Sequence, residues 1–300
     1  MYLNVSNDSL LSEVKHAVVI PLYGEVPDDL LYWVNALQQV GLQVMLVQNN
    51  PSDGHELSVS LQQLQARPRI IPNHNIGGVA GGFNRGVDAA IAGGAEWITL
   101  LDQDSRVSPS DLQRLREPWQ RLENQALLVG PLIWDGRRNQ PHAMASGSDF
   151  QQGYLMTRLL ISSGTTFRAV DWPRLGVMCE WLVVDFVDHS WCFRAQARQG
   201  FLLLQHPEVR LVQRFGRSHP NQLCRWFGME LYSPTRHFYQ LRNLRWLLQK
   251  AEVPLDLRCK ELIKMLLKPW LWLLFEPKRR ENLASILAAL RAPLLQPDLF

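Results

Sequence analysis

The sequence lacks paired cysteines, long apolar runs and an apparent secretion signal. The four cysteines, Cys179, Cys192, Cys224 and Cys259, show no short paired spacing, so neither a zinc cluster nor a disulfide framework is expected. No uncharged apolar stretch approaches the ~20 residues that span a bilayer. The N-terminus has no basic start followed by an apolar run and a cleavage site. We therefore expect a cytoplasmic protein with reduced thiols.

A strong excess of one charge is also missing. The 31 Lys and Arg outnumber the 28 Asp and Glu by three, which is too few to predict nucleic-acid binding. The excess is uneven, because 12 basic and 7 acidic residues lie from Trp226 onward, which leaves −2 for the first 225 residues. A chain of 300 residues with 46% hydrophobic content can bury one large core or two modest ones.

Apolar strands alternate with helical segments through the first half of the chain. This alternation predicts an α/β fold with a mostly parallel central sheet, flanked by helices and joined by right-handed crossovers. The predicted strands are 16–23, 42–47, 69–72, 98–101, 127–134 and 160–167. The predicted helices include one that begins near 27–29 and ends at Gly41, and others over about 55–66 and 108–125.

Two carboxylates follow the apolar run Ile98–Leu101 at once. Asp102 and Asp104 should leave the carboxyl end of a buried strand, where open α/β sheets bind ligands. Two hard oxygen donors there suit Mg²⁺ or Mn²⁺, whose shell is completed by substrate phosphate oxygens. The alternative is structural: Asp102 caps a turn and Asp104 begins the next helix.

The glycine-rich stretch from Asn75 to Gly86 has two interpretations of equal weight. It has neither the G-x-G spacing of a dinucleotide site nor the ending of a P-loop. Its glycines would let a phosphate approach a helix N-terminus. They would equally let the helix pack tightly on its neighbour.

A second acidic segment begins at Asp185. If it is helical from there, Asp185, Asp188 and His189 share a face, and a carboxylate beside apolar Phe186 and Trp191 would have a raised proton affinity. Such a group is a candidate general base. The alternative is a helix N-terminus in which the acids face the helix dipole and His189 partners one of them.

The chain changes character from Asn221. Two predicted helices, Trp226–Gln249 and Leu255–Phe275, are dense in Leu, Trp and basic residues, and Lys278–Arg280 follows. Tryptophans beside a basic cluster are typical of a helix that lies on an anionic membrane surface. The alternative is packing on the sheet domain or on a second subunit.

Taken together, these segments resemble bacterial rhamnosyltransferases of glycosyltransferase family 2, which have a GT-A fold. The resemblance runs from about Ala17 to Asn243. It is carried in order by Val19–Tyr23, Asn75–Gly86, Leu101–Ser105, Ser163–Thr165, Asp185–Arg194 and Arg236–Asn243. It implies a GT-A domain over 14–222 and a C-terminal helical extension over 223–300, for membrane association or packing.

The resemblance also implies a reaction. Rhamnose would pass from dTDP-L-rhamnose, with inversion, to a hydroxyl of a cell-surface glycan precursor, free or lipid-linked. Asp102 and Asp104 would hold Mg²⁺ or Mn²⁺ on the diphosphate, and Asp188 would be the general base. A peripheral position on the inner face of the cytoplasmic membrane and a homo-oligomer are further expectations.

The family motifs assign the remaining site residues by position. The donor-binding candidates are Pro21, Tyr23, Gln48, Asn50, Asn75, Gly77, Gly78, Asn84, Asp102 and Gln103. The acceptor-side candidates are Ser163, Gly164, Asp185, His189 and Trp191.

Three positions depart from the family pattern. Gln48 stands where an Asp commonly accepts the N3–H of the base, Ser190 stands at an often acidic position, and Gln213 replaces a histidine often found there. The amide oxygen of Gln48 can still accept that hydrogen bond. These departures sustain a second hypothesis: a catalytically weak GT-A-like subunit that binds a nucleotide or glycan within a glycan-assembly complex.

Overall fold

The computed structural model describes residues 15–51, 68–136, 139–141, 149–213, 217–226 and 230–295. Its strands are β1 His16–Leu22, β2 Gln43–Gln48, β3 Arg69–Pro72, β4 Trp97–Leu100, β5 Leu127–Asp135, β6 Gln140–Pro141, β7 Phe150–Gln151, β8 Tyr154–Met156, β9 Thr166–Arg168, β10 Leu202–Gln213, β11 Arg217–Ser218 and β12 Glu230–Leu231. Its α-helices are α1 Leu30–Gln39, α2 Gly78–Ala92, α3 Pro109–Arg114, α4 Pro118–Arg121, α5 Trp172–Leu175, α6 Val187–Gln199, α7 Gln222–Trp226, α8 Pro234–Leu247, α9 Leu255–Phe275 and α10 Arg279–Arg291. Short 3₁₀ turns cover Ala169–Asp171 and Glu180–Leu182.

The main sheet has the order β3-β2-β1-β4-β9-β5-β10-β8-β7, with β6 paired to β5. The pairs β3–β2, β2–β1, β1–β4 and β5–β10 are parallel. Strand β9 is antiparallel to both β4 and β5, so β4 and β5 run in the same direction. The six strands of the parallel pairs therefore all share one direction. The predicted α/β class with a mostly parallel sheet is therefore confirmed.

Both faces of the sheet are covered. Every residue of β1 is buried, as expected for a central parallel strand. Because side chains alternate along a strand, Val19 packs into one core with Phe83 of α2, whereas Val18 and Ile20 pack into a second core with Leu112 of α3. The predicted first three strands, 16–23, 42–47 and 69–72, are confirmed to within a residue at each end.

Four expected elements differ in the structure. The helix predicted over Trp226–Gln249 begins only at Pro234, because Glu230–Leu231 pairs as a strand with Arg217–Ser218. The strand predicted over 160–167 is wrong, because only Thr166–Arg168 pairs and a turn at Gly164 precedes it. The helix predicted over 108–125 divides into α3 and α4, since Pro118 has no amide hydrogen with which to continue the first helix. The segment from Asp185 is not helical until Val187. The helix predicted over 55–66 lies outside the described residues.

The C-terminal helices contact the sheet domain and also form a small core of their own. Trp246 and Leu247 of α8 join the core on the α2 side of the sheet. A separate cluster contains Leu241, Trp272 and Ile286. Among the helices that the structure describes, none is both long and apolar enough to cross a membrane. The division into 14–222 and 223–300 stays a prediction.

Candidate active site

The two acids of the D-x-D motif lie where the sequence predicts, directly after β4. Asp102 is half-buried and Asp104 is exposed. The backbone of Leu101 still hydrogen-bonds β1 through the carbonyl of Val19 at 2.9 Å, so the sheet carries the chain to the last residue before Asp102. The Asp102 amide then donates to Ser163 Oγ at 3.2 Å. The pair therefore stands at the carboxyl edge of β4 on a fixed backbone.

Asp102 is surrounded by other negative charge. Burial, followed by the charges of Asp104 and Asp188, raises the pKa of Asp102 to about 7, and the neighbouring Ser163 side chain opposes this rise. For Asp188 to act on Asp102 in this way, the two carboxyl groups must lie within electrostatic range of each other. The structure thus brings the acids of the two separate motifs to one site.

Asp188 lies in the first turn of α6 and is paired with the next residue. Nδ1 of His189 lies 3.0 Å from Asp188 Oδ1, and the His189 amide donates to the same oxygen at 2.9 Å. Burial raises the pKa of Asp188, but the hydrogen bonds and charge of His189 outweigh it, and the pKa lies below its ordinary value. The predicted rise in proton affinity is therefore wrong. The alternative, in which His189 partners an acid at a helix N-terminus, describes the structure.

Asp185 does not share the predicted helix face with Asp188. Its φ is +59°, which places it in the left-handed region before the helix begins. Arg236 of α8 binds its carboxylate with two hydrogen bonds of 3.0 Å, from Nε and Nη2. This bidentate geometry fixes Asp185 as an anchor to α8.

The chain just before α6 has an unusual backbone. Val183, Asp185 and Phe186 all have positive φ, between +59° and +66°, although none is glycine. Such conformations cost roughly 1–3 kcal/mol each and persist only where the surroundings enforce them. The Asn243 side-chain amide donates to the carbonyls of Val184 and Asp185 at 2.7 and 3.1 Å.

Arg242 supports the same segment from its other end. Its Nη2 donates to the Trp181 carbonyl at 2.7 Å, and its guanidinium lies 3.9 Å from the centre of the Trp181 ring. The motif Arg236–Asn243, which the sequence links only to the family resemblance, thus holds residues 181–185 in place.

The candidate nucleotide edge is made by the loops after β1 and β2. Gln103 accepts a hydrogen bond from the Tyr23 amide at 2.9 Å and donates to the Tyr23 carbonyl at 2.8 Å. Asn50 accepts from the Gly24 amide at 2.6 Å. Gln103 and Asn50 therefore shape the loop, while the Tyr23 side chain is 57% exposed at its surface. Gln48 is half-buried at the end of β2.

The structure favours the packing interpretation of the glycine-rich stretch. Gly78 has φ +60°, and a Cβ there would overlap the carbonyl of Val183. The next amide, of Val79, donates to that same carbonyl at 2.8 Å. A Cβ on Gly77 would overlap the side chain of Glu180. The helix start is thus covered by the chain's own residues 180–183, and Asn75 forms the preceding turn at φ +59°.

Three predicted site residues, Asn84, Pro21 and Trp191, are buried in the surrounding packing. The Asn84 side chain is buried and bonds both the amide and the carbonyl of Met178, at 2.8 and 3.0 Å. Pro21 is buried against α2. Trp191 lies in the core, where its Nε1 donates to the Gly176 carbonyl at 2.9 Å. These three residues support the site, and the ligand contacts expected of them stay predictions.

On the acceptor side, Ser163 and Gly164 form a tight turn beneath Asp102. Gly164 has φ +87°, and its amide donates to the Leu100 carbonyl at 2.7 Å, which holds the turn to β4. Ser163 is fully buried and donates to Ser105 Oγ at 2.7 Å. Ser105, which the sequence marks only as the residue after the acids, is therefore a structural partner that the pattern did not reveal.

The donor set suits a hard divalent cation. Asp102 and Asp104 concentrate negative charge that burial and mutual repulsion destabilise, and a cation would relieve both. Within the part of the chain that the structure describes, no three His, Cys, Asp or Glu side chains are grouped as metal ligands. Two carboxylates with substrate phosphate oxygens would complete such a shell, as is usual for Mg²⁺.

Comparisons with known proteins agree with this fold. A dTDP-rhamnosyl transferase, RfbF of Shigella flexneri, is 29% identical over 201 residues, which cover 62% of this chain and 64% of that protein, less than two thirds of its length. S. aureus TarS 1-349 with UDP-GlcNAc has a TM-score of 0.54 and 14% identity, over 92% of this chain and 81% of that one. This chain covers only 48% of the longer S. aureus TarS structure.

GalNAc-T7, crystallised with UDP, GalNAc and Mn²⁺, is a further structural neighbour. Its TM-score is 0.53 at 12% identity, over 91% of this chain and 57% of that one. These likenesses show a GT-A fold. The sequence profile of Glycosyl transferase family 2 matches residues 17–182, more than half of the 300 residues. The chain therefore belongs to glycosyl transferase family 2.

Proposed function

We propose that this protein is an inverting glycosyltransferase that moves L-rhamnose from dTDP-L-rhamnose to a hydroxyl of a bacterial cell-surface glycan precursor. The observation that supports it best is that the charge of Asp188 raises the pKa of Asp102, so the candidate base lies within electrostatic range of the candidate cation site. The resemblance to a dTDP-rhamnosyl transferase supports the choice of donor.

Asp188 is suited to the role of base. The pKa of its carboxyl lies below the ordinary value because of His189, so the group is in the ionised form that a general base requires at neutral pH. The bond to His189 Nδ1 also fixes the orientation of the carboxylate. Asp188 would take the proton of the acceptor hydroxyl as that oxygen attacks the anomeric carbon. One displacement inverts the carbon and needs no enzyme nucleophile.

The donor would lie along the edge formed by β1, β2 and β4. The exposed Tyr23 ring is available to the nucleoside, and the amide oxygen of Gln48 would accept the N3–H of thymine. Asp102 and Asp104 would hold Mg²⁺ or Mn²⁺, which supplies positive charge as the nucleoside diphosphate leaves. Asn50 and Gln103 keep the loop of Tyr23 in place.

Turnover of dTDP-L-rhamnose with a competent acceptor tests this proposal. We expect product from the wild type with Mn²⁺ or Mg²⁺, and a loss of about 10²- to 10⁴-fold in Asp188→Asn. Asp149→Asn, at an exposed acid, is the matched control and should retain full activity. Equal turnover by Asp188→Asn would remove Asp188 as the base.

The same experiment tests a second function. The departures at Gln48, Ser190 and Gln213 support a weakly active subunit that binds a nucleotide or glycan. That function predicts a thermal shift with dTDP but no turnover across a range of donors and acceptors.

The outer face of α9 supports a peripheral membrane position. Large apolar side chains recur at helical spacing along one face and are 43–72% exposed. They are Leu255, Leu262, Ile263, Leu266, Leu267, Trp270 and Leu274. The exposed basic residues Lys260, Arg279 and Arg280 complement an anionic lipid surface.

Vesicle flotation tests this position. We expect the protein to float with vesicles that contain anionic lipid and to bind neutral vesicles less, with the difference reduced by salt. Leu266→Glu together with Trp270→Glu should abolish flotation, whereas the same two substitutions at exposed Ala251 and Ala284 should preserve it. A different result would assign this face of α9 to a second copy of the chain. In that case the wild type would dimerise without binding vesicles, and the Leu266→Glu and Trp270→Glu pair would abolish dimerisation.

A further inference from the structure

We propose that Gln213 is a positioning residue for the Asp102–Asp104 pair and that it acts through the hydroxyl of Ser105. This inference rests on the proposed function, in which that pair holds a divalent cation. It assigns a role to the glutamine that the sequence shows only as a departure from the family pattern.

A chain of buried hydrogen bonds joins the end of β10 to the first acid. Nε2 of Gln213 donates to Ser105 Oγ at 2.7 Å. Ser163 Oγ donates to the same oxygen at 2.7 Å, and the Asp102 amide donates to Ser163 Oγ at 3.2 Å. Ser105 and Ser163 are fully buried, and Gln213 is only 7% exposed. Water therefore cannot readily replace a lost member of this chain.

Ser105 is well placed to control both acids. Its amide donates to the Asp102 carbonyl at 3.0 Å and closes the turn that contains Asp104. Its hydroxyl is fixed by two donors from different parts of the sheet, Gln213 on β10 and Ser163 before β9. The turn with the two carboxylates is thus held at its last residue by the side chain of Gln213.

Positioning and direct ligation are two distinct roles for Gln213. Its NH₂ group, which donates to Ser105, cannot bind a cation, and direct ligation would use its amide oxygen. Ser105→Ala separates the two roles, because it breaks the connection and leaves that oxygen in place. A positioning role predicts weaker cation binding in Ser105→Ala, whereas direct ligation by Gln213 predicts wild-type binding.

Binding of Mn²⁺ alone, followed by calorimetry, is the first measurement. Gln213→Met keeps the length of the side chain but removes the donor, and it should weaken Mn²⁺ binding by about 10- to 100-fold, as loss of an outer partner of a metal ligand usually does. Ser105→Ala should weaken it to a similar degree. The double variant should bind Mn²⁺ as strongly as the weaker-binding single variant, because both substitutions break the same connection between Gln213 and Ser105. Additive losses, or wild-type binding by Ser105→Ala, would overturn the proposal.

Hydrogen exchange in EDTA tests the connection without cation or turnover. Gln213→Met should speed exchange of the Asp102 amide, because Ser163 would lose its fixed partner, and leave the β1 amides of Val18 and Ile20 unchanged. Unchanged exchange at Asp102 would overturn the positioning role. Absence of Mn²⁺ binding by the wild type, with exchange altered as expected, would instead refute the metal site of the proposed function.

Discussion

Replacing Asp102 by Asn should make the cation-free protein more stable at neutral and alkaline pH, although it removes a residue that we place in the active site. The carboxyl of Asp102 lies within electrostatic range of Asp104 and Asp188, and burial and repulsion raise its pKa to about 7. Ionisation of this group therefore works against the folded state. An amide of the same shape carries no charge and avoids that cost.

The size and pH range of the effect follow from the shift. Below pH ~4 the group is protonated in both folded and unfolded chains, so wild type and variant should not differ. Between pH ~4 and ~7 the unfolded chain releases the proton while the folded protein keeps it, so the wild type loses stability as pH rises. From 3.8 to about 7 at ~1.4 kcal/mol per pKa unit, the gap reaches about 4 kcal/mol, or about 2–4 kcal/mol after solvent screening.

Thermal unfolding in EDTA at pH 5 and pH 8 measures this gap. With an unfolding entropy of ~2.1 cal/mol/K per residue, 2–4 kcal/mol corresponds to a Tm about 3–6 °C higher for Asp102→Asn at pH 8, and less at pH 5. Asp104→Asn removes only one of the neighbouring charges and should give a smaller rise. A variant that is less stable than the wild type at pH 8, or a gap that shrinks as pH increases, would refute the reasoning. Added Mn²⁺ should reverse the order, because it stabilises only the ionised wild-type site.

Three other substitutions test separate parts of the site. Asp188→Glu should retain more activity than Asp188→Asn, because glutamate keeps a carboxylate base although its position changes. A comparison of kcat for the two variants at saturating donor concentration measures this. Arg236→Lys should lose the bidentate contact with Asp185 and lower kcat, with little further loss when Asp185→Asn is added, as a double-mutant cycle would report. Gly78→Ala should destabilise the protein by more than ~2 kcal/mol in a denaturant titration, because its Cβ would overlap a neighbouring carbonyl, whereas Gly41→Ala, with open space around it, should cost about 1 kcal/mol.

The sequence predicts the edge of the sheet well because the relevant signal is local. Ile98–Leu101 is continuously apolar and then ends in two acids, so its burial and its exit point are both visible in a few residues. The same holds for β1, which is buried throughout. The position of Asp102 and Asp104 at the carboxyl end of a central strand needed no information from elsewhere in the chain.

The conformation around Asp185 could not be predicted in this way. Local preference gives no reason for a positive φ at Val183 or Phe186, and the spacing of Asp185 to Asp188 fits a helix. The observed conformation depends on Arg236 and on other groups of α8, more than 50 residues later. The low pKa of Asp188 likewise depends on the side-chain geometry of its neighbour, which apolar surroundings in the sequence do not reveal.

Residues 180–186 connect parts of the molecule that are far apart in the sequence. The carbonyl of Val183 receives the Val79 amide from α2, and the same segment receives Arg236 and Asn243 from α8 before it leads into α6 and Asp188. Three left-handed residues at roughly 1–3 kcal/mol each need such support from outside the segment. Helix α8 therefore belongs to the unit that orients the candidate base. A boundary at 222/223 marks a change in composition, but groups on both sides of it support the segment that leads into Asp188.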